Sequence, residues 1–490
     1  MSRKIDTILL VAMGALYFVY LLLRAWHIPM TQDEVATCYN HVPRGVFDLM
    51  TYQREAVPNN HILNTLAIKL LAGVFGMGQL LARIPALAGG LAYIIAAGAF
   101  ARLTGGTGWL RLLWFVLLLG NPFMAEFFAL ARGYGISIGL MMAAIYFTWK
   151  YLENAHAKAL TRTLFFAGLA VMANFTLLNV YLPLILLLFL SIRQHEATVT
   201  ERRHATGILT AGVLILVALC ALPVYRMQAG DELKPWGSAG FYPETLAPLV
   251  RSSIMDHPYL DGLTVPVLAK LIVVFCLISW TVAVWRWGNR RWRLIPPDPL
   301  VFAGFLLAGT VAVNLLQNFF LDVPFLNPRT AVFLYPLFAL QMIASGELLW
   351  RQWRGKVLYF AVPIAVFTVV NFDNNRNLSQ SYEWRYDRGT FTVLDFIKKT
   401  YESEGRTIPF TIDANWLLLN SLHFHEEFSR PPYRQWVTTP AQYHGDQPPK
   451  GNTDFFYTAT PEDIEALRRS YEPVLTVEEG RFVLMRRKRE

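Results

Sequence analysis

Apolar runs close to 20 residues long recur from residue 8 to residue 371, a pattern that a water-soluble fold does not accommodate. A bilayer core of ~30 Å is crossed by about 20 helical residues, because each segment must satisfy its own backbone polar groups. Eleven such spans are read, at 8–26, 84–101, 112–126, 133–149, 163–176, 177–192, 205–225, 264–285, 299–319, 330–350 and 357–371. Composition agrees, with 54% hydrophobic and 16% charged residues against roughly 45–50% apolar and about 25% charged in soluble domains. Disordered, collagenous and disulfide-scaffold classes are excluded. The first run is too long for a cleaved leader, and Arg24-Ala25-Trp26-His27 is a poor cleavage site. Cys38, Cys220 and Cys276 make no framework, and no disulfide is expected.

Lys and Arg in the short loops set the orientation. With the N-terminus inside, the inner segments hold 17 Lys/Arg against 5 Asp/Glu, and the outer ones 10 against 11. The formal charge of +9 therefore marks a cytoplasmic face, with no nucleic acid as partner. Only Lys270 and Glu347 are left in the spans, each within snorkelling reach of an interface. An odd span count puts residues 372–490 outside, beside the long loops 27–83 and 226–263. The expected organisation is a membrane module, 1–371, and a soluble extracytoplasmic α/β domain, 372–490. In that domain Thr390–Tyr401 and Trp416–Glu427 have helical spacing, and Ile408–Ile412 is a strand candidate. Asp454–Tyr457 leads to a helix opened by Thr460 as N-cap and Pro461. Val474–Val477 and Phe482–Met485 read as a hairpin around Glu479-Gly480. No internal repeat, Walker loop or dinucleotide fingerprint is present, so nothing points to a nucleotide-driven pump.

Function in such a chain is expected where charge gathers beside the membrane without a solubility reason. Thr31-Gln32-Asp33-Glu34 follows the first span almost at once. One carboxylate can serve as base towards a hydroxyl while its neighbour tunes the pKa or binds a cation; for an isolated pair a solvated helix start is the preferred reading. Asn59-Asn60-His61-Ile62-Leu63-Asn64 opens an apolar helix running to about Phe75. It is read as juxtamembrane, because a crossing there would put the 17 basic residues outside. Lys69 on this helix is a second phosphate contact or, preferably, a snorkelling lysine. Glu126 and Arg132, the latter in Ala131-Arg132-Gly133-Tyr134-Gly135, form either a structural ion pair or the face of a charged ligand site. Arg329, in Asn327-Pro328-Arg329, has the planar fork that suits phosphate, or anchors the helix at the interface. Loop 226–263, with Asp256-His257-Pro258-Tyr259, reads as a lid or acceptor surface. No metal-ligand spacing is present, so no cofactor is required and the metal is unknown; a divalent cation on Asp33, Glu34, Asp256 and His257 stays open. His423 and His425 are read as surface residues.

Together these positions resemble the GT-C superfamily of integral-membrane glycosyltransferases, nearest the protein mannosyltransferase and aminoarabinose-transferase group (glycosyltransferase family 39-like). The resemblance runs over roughly residues 8–350. It is carried by Asp33-Glu34 after a span, Asn60-His61-Ile62-Leu63, Arg83-Ile84-Pro85-Ala86-Leu87-Ala88-Gly89, Asn121-Pro122 with Ala131-Arg132-Gly133-Tyr134, and Asn327-Pro328-Arg329 with Tyr335-Pro336. It implies a mainly α polytopic GT-C-like module of about 11 transmembrane helices in a bacterial plasma or inner membrane, followed by the small α/β domain. It further implies a sugar donor on a polyprenyl phosphate and an inverting attack by an acceptor hydroxyl. Asp33 matches the family's first-loop acid, the general base, with Glu34 assisting. Arg329 matches the late basic position that holds the lipid phosphate, and His61 the histidine of a His-Pro-Pro-Leu helix. Asn60, Glu126, Arg132, Tyr134, His257 and Lys69 are the further substrate-binding candidates. The chain departs from the family where Ile62 and Leu63 replace two prolines, and where Leu130-Ala131-Arg132 stands in place of a second-loop acid; Glu126 is the candidate substitute.

Other readings stay open: a transporter or flippase of a lipid-linked glycan, a non-catalytic envelope-assembly component, or another enzyme on the same carriers such as an O-antigen ligase. The acceptor can be a glycan, a lipid or a protein, and the sugar is not specified by the sequence.

Overall fold

The computed structural model describes all residues except 1–2, 55–56, 104–107, 196–197, 233–239, 256–263, 440–451, 478–480 and 489–490. The turn expected at Glu479-Gly480 and the stretch Asp256–Tyr259 thus lie outside the described residues. Two compact units emerge. Residues 1–22, 45–66 and 85–376 make a helical unit; residues 23–44, 67–84 and 377–490 make the second. A single cut at 371 therefore becomes one near 376, and two pieces of the first long loop fold with the C-terminal chain.

Eight helices among the described residues are long and apolar enough to cross a membrane: Lys4–His27, Gln79–Leu103, Gly133–Asn154, Phe175–Gln194, Val199–Ala229, Thr264–Asn289, Pro299–Leu321 and Gly355–Asn375. Each covers an expected span, and the chain is a polytopic, mainly α membrane protein. The other three expected spans are helices too, Gly108–Leu119, Ala157–Ala173 and Leu334–Trp353, but they are not among the eight. The expected span 112–126 is corrected most clearly. Its helix stops at Leu119, and Asn121 then caps a new one, Pro122–Phe127, by accepting from Met124 N at 2.9 Å. Proline at the first position of that helix and a side-chain cap before it restart the chain in a new direction. The helix Ile62–Phe75 has 14 residues, about 21 Å at 1.5 Å per residue, which is short of a bilayer core. Glu347 does not snorkel; it is buried within Leu334–Trp353.

The C-terminal chain of the second unit is the small α/β domain. Strands β1 (Phe410–Ala414), β2 (Val437–Thr438), β3 (Phe455–Thr458), β4 (Tyr471–Val477) and β5 (Phe482–Arg487) form one sheet in the order β2-β1-β3-β5-β4. β1 runs parallel to β2 and β3, whereas β3–β5 and β5–β4 are antiparallel. Helices Thr390–Ser403 and Trp416–Phe428 pack Val393, Ile397, Leu418 and Leu422 against Phe410, Ile412, Tyr457 and Leu484 of the sheet. Thr460 does precede helix Pro461–Leu467, but its hydroxyl makes no cap; it accepts from Asn415 Nδ2 at 3.2 Å instead. The three cysteines are free and buried.

Candidate functional site

The candidate residues fall into two clusters, one in each unit. In the second unit, the first helix ends at His27, leaving the carbonyls of its last turn without helical partners. Side chains from the start of the next long helix supply them. Gln79 Nε2 lies 3.1, 2.9 and 2.7 Å from the carbonyls of Ala25, Trp26 and Ile28. Arg83 Nη1 donates to Ala25 and Ile28 at 3.1 and 2.7 Å, and Nη2 to Pro29 at 2.9 Å. The rest of the guanidinium grips Glu34 as a fork, Nε to Oε1 at 2.8 Å and Nη2 to Oε2 at 2.7 Å. All five N–H donors of Arg83 are thereby used, and both side chains are fully buried.

Glu34 also closes a capping box. Thr31 N donates to Glu34 Oε2 at 2.8 Å and Glu34 N to Thr31 Oγ1 at 3.4 Å, which starts the helix Gln32–Ala36. The adjacent acids thus differ in setting. Glu34 is sealed against Arg83, while Asp33, one residue earlier, is half-buried. Lys69 donates its ammonium to Val42 O at 2.8 Å, tying loop to helix.

Two residues that sequence reasoning missed or misplaced complete this cluster. His425, expected at the surface, is buried, and its Nε2 accepts from Met30 N at 3.0 Å. Its other nitrogen, Nδ1, must then carry the proton, and it faces Ser429 Oγ at 2.9 Å. Burial, with the Arg83 charge adding, pushes His425 down to about 3. Asp387 Oδ2 accepts from Gln32 N at 3.0 Å. Burial holds its carboxyl well above the usual range, and the charges of Glu34 and Asp33 add to the rise. His423, by contrast, is partly exposed and stacks on Tyr39 at 5.2 Å between ring centroids.

The helical unit holds the other candidates. Asn60 Nδ2 donates to Leu49 O at 3.0 Å, and Tyr52 OH donates to Asn60 O. His61 Nδ1 faces Ala173 O at 3.0 Å, so Nδ1 bears the proton and Nε2 is an acceptor. Asn64 Nδ2 donates to Ala131 O at 3.1 Å. Arg132 stands in extended conformation before helix Gly133–Asn154 and donates Nη1 to Asn59 Oδ1. Its guanidinium lies 5.9 Å from the Tyr134 ring, and Tyr134 meets His61 edge-on at 4.9 Å. Gly133 permits this approach, since a Cβ there would stand 2.6 Å from His61 Cγ. Glu126 is buried on Pro122–Phe127. The structure therefore brings His61, Arg132 and Tyr134 together, while the Asn60 side chain turns to Leu49.

The helical unit also holds a cavity of about 720 Å³. Its walls are apolar, with Leu117, Val250, Leu271, Phe275, Phe338 and Phe367 among them. A polar group lies on its lining: Asn121 Nδ2 donates to Ser253 Oγ and Asn371 Nδ2 to Ser253 O, each at 2.9 Å. Leu334 and Tyr335 also line it, shortly after half-buried Arg329 on the one-turn helix Pro328–Ala331, which Asn327 caps through Thr330 N at 3.0 Å. His257 lies outside the described residues. Among the described residues no three His, Cys, Asp or Glu side chains gather as metal ligands.

No protein-family model matches this chain, and no curated protein matches it in sequence. Solved structures do. The chain superposes on ArnT from Cupriavidus metallidurans bound to undecaprenyl phosphate with a TM-score of 0.52 at 13% identity, covering 99% of this chain and 98% of that one. The apo state of the same protein gives 0.51 at 13% identity, covering 98% and 97%. At this identity the likeness establishes the fold alone, which this chain shares with ArnT over nearly the whole length of both.

Proposed function

We propose that this protein transfers a sugar from a polyprenyl-phosphate carrier to an acceptor hydroxyl at the extracytoplasmic face of a bacterial membrane, with inversion. The observation that carries the reading is the apolar cavity of about 720 Å³ in a chain with the fold of ArnT, a protein solved with undecaprenyl phosphate bound. A pocket of this size and lining suits an isoprenoid tail. The loop charges favour the outer side, since the basic excess lies in the other set of loops.

In the proposed reaction Asp33 takes the proton of the acceptor hydroxyl as its oxygen bonds to the anomeric carbon. The bond from that carbon to the phosphate oxygen breaks, and its electron pair leaves with the polyprenyl phosphate. Such a leaving group needs no protonation, so the site must supply a base and cationic donors for phosphate. Arg329 is assigned the phosphate, because its planar fork suits phosphate and it shortly precedes Leu334 and Tyr335 of the cavity lining. Half-buried Asp33, rather than Glu34, is assigned the base, because the oxygens of Glu34 are committed to Arg83 and Thr31. Asn60, His61, Arg132 and Tyr134 are assigned to sugar or acceptor binding.

The test is incubation of purified protein with a panel of polyprenyl-phosphate sugars and an envelope extract as acceptor, scoring free carrier phosphate with and without chelator. Acceptor-dependent release from at least one donor is expected. Movement of an intact donor across vesicles with no carrier release would instead identify a flippase. Loss of release with chelator would add a divalent cation to the site.

A further inference from the structure

The segment that carries Asp33 is held by the C-terminal chain of its own unit. Ser421 Oγ donates to Met30 O at 2.7 Å, and His425 Nε2 receives Met30 N at 3.0 Å. Tyr386 OH donates to Gln32 Oε1, and Asp387 Oδ2 receives Gln32 N, both at 3.0 Å. Gln32 is the first residue of the helix Gln32–Ala36 and the immediate neighbour of Asp33. Its N–H is one of the donors that a helix start leaves without a helical partner.

Among these contacts Asp387 is the unexpected one. A serine or an amide could receive a single N–H at far lower cost than a buried carboxyl. Asp387 is 2% exposed, and its Oδ1 has no hydrogen-bond partner among the described residues. The charged groups acting on it are Glu34, Asp33 and Arg83, and the donors of Arg83 are already occupied by Glu34 and backbone carbonyls. Burial, with the charges of Glu34 and Asp33 adding, holds the Asp387 carboxyl well above the usual range and so favours its protonated form.

We propose that Asp387 is a positioning residue for glycosyl transfer: through the Gln32 N–H it fixes the first turn of the Asp33 helix and so sets where the base stands when the acceptor hydroxyl arrives. The C-terminal domain then acts as a clamp on the segment of its own unit that carries Asp33. This inference rests on Asp33 being the base. A shift of about 1 Å in a catalytic group can cost roughly a hundredfold in rate, so the contact matters in turnover more than in binding.

The experiment measures kcat and donor KM of full-length Asp387→Ala, Asp387→Asn and Asp33→Asn, with thermal unfolding of each in detergent. Asp387→Ala is expected to lower kcat roughly 10- to 100-fold with donor KM within about threefold. Asp387→Asn, which offers an amide oxygen to the same N–H, is expected to restore kcat to within about threefold of wild type. It should also keep the acid limb of the pH–rate profile, since the contact acts through the Gln32 N–H and not through a charge. A folded Asp387→Ala with wild-type kcat, or Asp387→Asn as slow as Asp387→Ala, overturns the inference. Should Asp387→Ala fail to fold, a slow Asp387→Asn or a displaced acid limb overturns it alone. An active Asp33→Asn overturns the base assignment itself, whereas an inactive Asp33→Asn beside a normal Asp387→Ala sinks only the clamp.

Discussion

The two units follow opposite rules for what is exposed. In the helical unit large exposed side chains are apolar, with Leu214 62% and Phe319 78% exposed, while Asn121, Glu126 and Arg132 lie inside. In the sheet of the second unit Phe410, Ile412, Tyr457 and Leu484 are the core, as in a protein surrounded by water. Facing hydrocarbon, an exposed leucine costs nothing and a polar side chain has nowhere better than the interior. A buried polar residue therefore means less in the helical unit than in the other. In the second unit, whose sheet has an ordinary apolar core, Glu34, Arg83, Asp387 and His425 are nevertheless buried. Each must be held by a structural demand, and all four converge on the segment 25–34.

The sharpest way to break this contrast is to remove one partner of the sealed ion pair. Arg83→Leu or Glu34→Gln should destabilise the second unit by about 3–5 kcal/mol, the usual cost of stranding a buried charge or its donors. Chemical denaturation followed by tryptophan fluorescence would show it, and a loss under about 1 kcal/mol would mean water reaches the pair. In the helical unit, Arg329→Ala should act on binding and not on stability. A lost charge-assisted contact of about 1.5–3 kcal/mol raises donor KM roughly 10- to 150-fold, measurable by steady-state carrier release at fixed acceptor.

Acidity separates the groups further. Because His425 is held near 3 when folded and titrates near 6.5 when unfolded, its contribution to stability is complete above that upper value. It is lost progressively as pH falls towards 3. Asp387 has the opposite sign: its folded value lies above 3.8, so its contribution is present at low pH and is lost as pH rises. Melting temperatures from pH 4 to 8 should show His425→Gln flattening the acid-side fall. Asp387→Asn should gain stability relative to wild type as pH increases. The smallest expected effect is at half-exposed Trp416, where Trp416→Ala should change the stability of the second unit by no more than about 0.5 kcal/mol in the same melts.

Span positions were readable because length and hydropathy dominate them, but span ends were not. A hydropathy window adds apolar residues across Gly120-Asn121-Pro122 and is blind to a side chain that caps Met124 N. Asp33 was legible as charge beside the membrane. The partner of Glu34, however, is 49 positions away, and pairing at that distance leaves no local pattern. The capping box is legible in the spacing of Thr31 and Glu34. His425 was also within reach: Leu418, Leu422 and His425 fall at i, i+4 and i+7 on the buried face of one helix. Asp387 carries no such signal, since nothing in its neighbourhood separates it from a surface acid.

The central claim is tested most directly by single-turnover carrier release from Asp33→Asn at saturating donor and acceptor. The account predicts donor binding within about threefold of wild type and a chemical step slowed roughly 10²–10⁴-fold, the usual contribution of a positioned base. A chemical step at the wild-type rate would contradict it.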